Sequence, residues 1–383
     1  ISGYLITTIL IEDIENKRFS IVNFYERRAR RILPALFFVM LVCIPFAWMW
    51  MQPNQMKDFS QSLVAVSLFA SNILFWQESG YFEAAAEEKP LLHTWSLAVE
   101  EQYYVLFPIF LILAWRFGKN RVFWMIVVMA AISLLLSEWG WRNKASANFY
   151  LAPTRAWELF AGSIAAFIVR KQGVQKNNLL ATLGLAAIIF SIFYYDETTP
   201  FPSVYALVPV LGVVLLVLYA DKTTFAAKLL STKGFVGIGL ISYSAYLWHQ
   251  PIFAFERIRS VNDPSHLKMG LLAVSSLVIA CFSWRFIETP FRNKNFVSKK
   301  GIFFISIWGI AIFSTLGVSL SEIKPTRLVA KFYSDEVVKE ERVRRFESRR
   351  QICARKTWAK CDHAEDGMIN VLIIGDKIGR AHV

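Results

Sequence analysis

Apolar residues in this chain come in long uninterrupted runs separated by short polar gaps. The runs cover approximately residues 1–12, 32–51, 60–76, 96–115, 122–137, 155–169, 178–195, 203–220, 234–255, 267–287 and 302–320. Most approach the length a helix needs to cross a hydrocarbon core of about 30 Å. Backbone N–H and C=O groups find no partner in lipid, so runs of this kind must close their hydrogen bonds internally, as helices do. A membrane barrel would alternate polar and apolar residues, and these runs do not. The pattern predicts an all-α polytopic membrane protein.

Charge then refines the topology. If every run crosses, Arg116, Lys119 and Arg121 fall on the opposite side from Arg27, Arg28, Arg30 and Arg31, against the tendency of cytoplasmic loops to collect positive charge. Leaving 60–76 as a non-spanning apolar helix brings these groups, with the basic residues near 170–176, 222–233 and 292–300, to one side. The expectation is about ten transmembrane helices, the last of which, 302–320, delivers the C-terminal segment to the extracytoplasmic face.

The composition agrees: of 383 residues, 55% are hydrophobic and 19% charged, outside the usual range of soluble domains. A formal net charge of +13 is compatible with nucleic acid, but the Lys and Arg residues lie in the gaps between runs and not along one face or stripe. The lipid bilayer is the expected partner, and nucleic acid is not. Cys43 and Cys281 fall inside apolar runs and read as small buried hydrophobes.

Beyond residue 320 the hydropathy collapses into a charged stretch containing Glu340, Glu341, Arg342, Arg344, Arg345, Arg349 and Arg350, which reads as a linker. The closing Val371-Leu372-Ile373-Ile374-Gly375-Asp376 reads as a buried strand entering a turn, like the first strand of an α/β domain. The chain opens without an initiator Met in the middle of an apolar stretch, and residues 377–383 look like the translation of a sequencing adapter. Both ends are expected to be interrupted.

Ionisable groups inside membrane helices cost at least a few kcal/mol, so each needs a reason. His93-Thr94-Trp95-Ser96-Leu97-Ala98-Val99-Glu100-Glu101-Gln102-Tyr103-Tyr104 opens one helix, with Glu100 about one turn inside. Glu100 is a candidate catalytic carboxylate, whereas Glu101 reads equally well as an N-terminal helix carboxylate favoured by the macrodipole. His93 fits either a catalytic role or an interfacial hydrogen bond. His249 sits mid-helix two residues before Pro251, which must disturb the backbone ladder. There an imidazole could exchange a proton or merely bridge helices. Arg155 and Glu158 begin another helix, as a local ion pair or a binding site.

Arg27, Arg28, Arg30 and Arg31 precede Ile32-Leu33-Pro34 at a cytoplasmic boundary. Such a cluster fixes topology and contacts anionic lipid. It also suits a phosphorylated donor such as an acyl-CoA, because guanidinium groups bind phosphate bidentately, and Arg28 and Arg31 share one helix side. Neither a metal nor a bound cofactor is expected. The residues alone leave open an enzyme or a transporter or flippase for a lipid-linked sugar, although no internal repeat favours the latter.

Taken in order, these segments resemble the type-3 acyltransferase family, polytopic O-acyltransferases of bacterial surface polysaccharides. Ile1 to Ile6 resembles the family's second helix start, and Arg28 with Arg31 matches its Arg-x-x-Arg pair. His93 to Tyr104 matches its Trp-Ser-Leu-x-x-Glu segment, Arg155 to Gly162 its Arg-x-x-Glu-Leu-x-x-Gly helix, and Ser242 to Pro251 its Ser-Tyr-x-x-Tyr-Leu-Trp-His-x-Pro. The resemblance implies an acyltransferase membrane domain over 1–295 that lacks the family's first helix. It implies a further transmembrane helix over 296–320, then an extracytoplasmic linker and the start of a truncated SGNH-type domain over 321–376. Lys377 follows Gly375-Asp376 where that subgroup carries its serine, so this chain is not expected to complete the reaction.

The implied reaction moves an acyl group, acetyl by preference, from cytoplasmic acyl-CoA across the membrane to a hydroxyl of a surface polysaccharide such as lipopolysaccharide O-antigen. The implied location is the bacterial inner membrane, and the acceptor is a polysaccharide or lipid-linked glycan. Glu100, His249 and His93 are the implied catalytic residues, and Arg28, Arg31, Arg155, Glu158, Trp95 and Tyr104 the substrate-binding ones. Cys353 and Cys361 fall in the extracytoplasmic linker, where oxidation is permitted, and are expected to form a disulfide. Mass analysis without prior reduction should find neither alkylated; two alkylated thiols would refute the bond and weaken this topology.

Overall fold

The computed structural model describes residues 1–79, 86–196, 198–260 and 264–322. Among these there are fifteen α-helices and no β-strand. In chain order they are α1 (Ser2–Glu15), α2 (Ile21–Trp50), α3 (Pro53–Ser67), α4 (Ser71–Glu78), α5 (Thr94–Trp115), α6 (Lys119–Asn143), α7 (Ala145–Tyr150) and α8 (Ala152–Gln172). There follow α9 (Asn178–Tyr194), α10 (Leu207–Tyr219), α11 (Phe225–Leu230), α12 (Lys233–Arg259), α13 (His266–Ser283), α14 (Thr289–Arg292) and α15 (Lys299–Glu322). A π-helical segment, Trp284–Glu288, joins α13 to α14. The expected linker, the strand over 371–376 and the pair Cys353 and Cys361 lie outside the described residues.

Five stretches are long and apolar enough to cross a membrane: α2, α5, α6, the continuous run His266–Arg292, and Lys299–Ser321 of α15. The other apolar runs of the ten-crossing expectation do not meet that standard. Asn178–Tyr194 and Val204–Tyr219 are shorter, and α8 carries Arg155, Glu158, Arg170 and Lys171. Burial separates centre from periphery. The apolar windows of α2 and α5 are each 56% buried, against 22% for α6, 17% for the α13–α14 run and 22% for α15. The first two therefore form the middle of the bundle, and the others present apolar side chains such as Leu135, Val278 and Ile307 outward.

The core runs between α2, α5 and α12, where Leu36, Met40, Leu111 and Leu247 are fully buried. Ser20 starts α2 by accepting a hydrogen bond from the Asn23 backbone N–H, and the helix then continues through Pro34 and Pro45. It begins eleven residues ahead of the apolar run at 32, so the arginine cluster lies within its first turns. Likewise α12 runs through Pro251, whose missing N–H removes one ladder bond without ending the helix. Close approach of α1 to α8 depends on two glycines. A Cβ on Gly3 would lie 1.9 Å from the Leu159 carbonyl oxygen, and one on Gly162 would lie 2.7 Å from the Tyr4 nitrogen. Small residues bring membrane helices together in this way.

The apolar run 60–76 is not one helix. It breaks at Leu68–Ala70, where Phe69 adopts a positive φ of 53°, between α3 and α4. Near the start of α3, Gln55 Nε2 donates to Glu88 Oε2 (2.9 Å); at the end of α4, Glu78 accepts from Lys89 Nζ (2.5 Å). The start of α3 and the end of α4 thus lie near the same segment, Glu88–Lys89, and the two helices form a hairpin. Its turn is non-helical backbone at which Leu68 is exposed and Phe69 and Ala70 are half-buried, and in an apolar setting the freed groups need partners from the protein. Gln102 on α5 does so: its Nε2 donates to the Phe69 carbonyl (3.1 Å) and to Asn72 Oδ1 (2.9 Å). Asn72 in turn donates to the Tyr150 carbonyl, and Ser71 to the Thr94 carbonyl.

Replacing Gln102 by the similarly shaped Leu removes both donors and leaves buried acceptors unpaired, a cost of roughly 1–3 kcal/mol. A thermal melt in detergent should show Gln102→Leu less stable than the parent. An unchanged melting temperature would mean that the turn does not depend on this side chain.

Candidate active site

Helix α5 positions most of the chemistry. His93, at its N-cap, and Ser96, Glu100 and Tyr104 recur at intervals of three or four residues, so they form one stripe roughly 16 Å long at 1.5 Å per residue. This stripe faces α1, α2 and α12. Trp95 stands nine residues from Tyr104, about two and a half turns, and so faces the other way. The two implied substrate-binding aromatics are therefore on opposite sides of α5.

At the Tyr104 end of the stripe, the four arginines of α2 divide by partner. Arg27 pairs with Asp13 (3.1 Å) and Arg30 with Glu26 (2.9 Å), the latter almost wholly buried. Arg30 also donates to the Phe291 carbonyl at 3.4 Å. Arg28 and Arg31, by contrast, have no carboxylate within 4 Å among the described residues. The Arg28 guanidinium lies over the Tyr104 ring, 5.2 Å from its centroid, and its Nε is buried without a hydrogen-bond partner. Both arginines lie within electrostatic range of Glu101.

Glu101 proves to be buried, 8% exposed, with Oε1 unpaired. It sits past the first turn of α5, where the macrodipole has faded, so the reading of Glu101 as an N-terminal helix carboxylate gives way to one as an interior carboxyl group near Arg28 and Arg31. Glu100 is the better connected of the two carboxylates. Its Oε2 accepts from the Tyr104 hydroxyl (2.8 Å) and from Ser2 Oγ (3.0 Å).

At the other end of the stripe, His93 and His249 meet edge to face with ring centroids 5.2 Å apart. The histidines stand more than 150 residues apart in sequence, and α12 brings them together. Tyr246 organises the contact. Its hydroxyl donates to the His93 carbonyl (2.5 Å) and lies 2.9 Å from Ser96 Oγ, and its ring packs 4.9 Å from the His93 ring. Its own carbonyl lies 2.7 Å from His249 Nδ1. A carbonyl only accepts, so Nδ1 carries the proton and Nε2 of the neutral ring is left as the acceptor.

Arg155 and Glu158 form a separate group with Trp95. The Arg155 guanidinium packs over Trp95, Phe201 and Phe149, at 4.8, 5.0 and 5.7 Å from their centroids, and pairs with Glu158 at 3.1 Å. The local ion pair considered from sequence is therefore formed, inside an aromatic enclosure. Sequence reasoning passed over Tyr243, Tyr246 and the buried Glu288. Tyr243 donates to the Ile32 carbonyl at 2.9 Å, and Glu288 accepts from Ser244 Oγ at 3.1 Å. The spacing of Tyr243, Tyr246 and His249 along α12 was the available signal for the first two. Nothing local marked Glu288, whose π-helical setting is a tertiary feature.

With this geometry in place, the comparisons with known proteins are direct. The family described as an acyltransferase domain matches residues 1–320, and the chain belongs to it. The peptidoglycan O-acetyltransferase OatA of Listeria monocytogenes serovar 1/2a is 30% identical over 317 residues, covering 78% of this chain and 51% of that protein. The O-acetyltransferase OatA of Staphylococcus aureus strain NCTC 8325 / PS 47 is 29% identical over 328 residues, covering 79% and 54%. The putative peptidoglycan O-acetyltransferase YrhL of Bacillus subtilis is 27% identical over 320 residues, covering 78% and 50%. The chain spans about half the length of the curated relatives it matches. No solved structure matches it.

Glu100→Gln preserves the shape of the site and removes its charge. If Glu100 exchanges a proton in the reaction, turnover should fall by roughly 10²-fold or more and its pH dependence should change. Turnover unchanged across pH would exclude Glu100 from acid–base chemistry.

Proposed function

We propose that this chain is the membrane portion of an O-acetyltransferase that takes an acetyl group from acyl-CoA at the cytoplasmic face and passes it outward to a hydroxyl of a cell-envelope polysaccharide. The observation that carries the reading is the pair Arg28 and Arg31, left without carboxylate partners beside two neighbours that are fully committed. Guanidinium groups held free at a cytoplasmic boundary suit phosphate oxygens. The polar stripe of α5 leads from that pair to the two histidines, where an acceptor hydroxyl could give up its proton to His249 Nε2.

The names of the relatives bear on the acceptor. OatA of Listeria monocytogenes and YrhL of Bacillus subtilis are described as acting on peptidoglycan. Peptidoglycan is accordingly the first acceptor to test here, ahead of the lipopolysaccharide O-antigen expected from sequence. The C-terminal segment on the extracytoplasmic side is part of the same proposal. A transporter of lipid-linked sugar, the competing class, would move glycan without acetylating it.

Incorporation of labelled acetyl groups into isolated envelope polysaccharide, with and without the gene, separates these readings: acetylation should depend on the gene, and its absence from every glycan fraction would leave the transporter. In the complete protein, Arg28→Ala and Arg31→Ala should each abolish acetylation while membrane insertion is preserved. Wild-type activity in the double variant would remove the donor assignment.

A further inference from the structure

Coenzyme A carries its pyrophosphate in the middle of the molecule and a separate ribose phosphate at the nucleotide end. Arg28 and Arg31 supply cations for the first, and the donor reading above names none for the second. The structure places another arginine near the arginine-bearing turn of α2. Arg292 ends α14, and the preceding residue, Phe291, accepts a hydrogen bond from Arg30 through its carbonyl at 3.4 Å. That contact brings the end of α14 against the arginine-bearing turn of α2. Arg292 Nη1 lies 3.4 Å from Glu288 Oε1, and its side chain is 48% exposed while that of Glu288 is 2% exposed.

Glu288 gives the arrangement its direction. It projects from the π-helical segment, a departure from regular helix that often marks a functional position. One carboxylate oxygen takes the Ser244 hydroxyl and the other faces Arg292. Arg31 lies within electrostatic range of the same carboxylate. A buried carboxylate must be compensated by cations, and here two arginines from different helices are drawn to it. Only one edge of the Arg292 guanidinium is engaged, so the remaining N–H donors stay available in a fixed orientation.

We propose that Arg292 binds the ribose phosphate of the acyl-CoA donor, with Glu288 as the positioning residue that aims it. In this arrangement the half-exposed Arg292 would meet the ribose phosphate at the solvent side, and the more deeply buried Arg28 the pyrophosphate. This assignment rests on the donor reading.

The test is binding of acetyl-CoA and of acetyl-dephospho-CoA, which lacks the ribose phosphate, to the full chain in zwitterionic lipid nanodiscs by titration calorimetry. The parent should prefer acetyl-CoA by roughly tenfold or more, as one charge-assisted contact supplies. Arg292→Ala should lose that preference by weakening acetyl-CoA alone, and Arg292→Lys, which keeps the charge, should retain part of it. Glu288→Gln should reduce the preference without changing affinity for the dephospho form. A thermal melt of each variant confirms that it is folded. If the parent binds neither ligand, the donor reading fails and this inference fails with it. If the parent binds both and Arg292→Ala keeps the preference, or weakens both ligands equally, only the present inference is overturned. If Arg292 holds an anionic lipid headgroup, parent and variant will differ only after anionic lipid is added, and that too overturns it.

Discussion

A charged side chain at membrane depth costs at least a few kcal/mol unless the protein itself supplies a partner, and the arrangement around α5 follows from that demand. Glu100, Glu101, Arg28 and both histidines turn inward, although Arg28 Nε, Glu101 Oε1 and both His93 ring nitrogens have no hydrogen-bond partner among the described residues. The hydroxyls of Tyr104 and Ser2 hold Glu100, and that of Tyr246 bonds the His93 backbone. Lipid-facing positions on α6, α13 and α15 carry Leu, Val, Ile and Phe. Polar residues are thus concentrated on a few buried faces, and a continuous polar stripe through an apolar bundle is the result.

The arginine cluster shows how one short segment serves several purposes. Arg30, with Glu26, is a buried pair that ties α2 to the end of α14. Removing one member of such a pair would leave a buried charge uncompensated. Arg27 joins α2 to Asp13 of α1 at the surface, where exposure makes the pair weak. These two contacts are structural. The buried Arg30 contacts in particular hold α2 against α14 and leave Arg28 and Arg31 without carboxylate partners.

The hairpin of α3 and α4 follows the same logic applied to backbone. Leu68–Ala70 could not stand in lipid with its carbonyls open, so α5 and α7 provide Gln102 and the Tyr150 carbonyl to complete the network around the turn. On its other side α3 packs along α15, where Ser67 and Ser314 lie 3.0 Å apart. Because Gln102 stands only two residues beyond Glu100 on α5, the hairpin buttresses the helix that carries the site. Its function is best understood as support for that helix.

Hydrophobic patterning along the chain was sufficient to establish helices, membrane character and most element positions, because lipid forbids unpaired backbone and leaves helices as the form for long apolar runs. The resemblance carried by Arg28, Arg31, Glu100, Arg155 and His249 was likewise legible, and the family match agrees with it. Which residues meet was not legible. His93 and His249, or Arg30 and Phe291, are far apart in sequence, and only helix packing joins them. Composition could not tell Arg28 from Arg30, since a free guanidinium and a buried ion pair differ only in their neighbours. Nor could the run 60–76 disclose its break at Phe69, whose cost is met by Gln102 from another helix. Local preference along the chain determines helices; partners for buried charge and broken backbone come from elsewhere in the chain, so tertiary structure decides them.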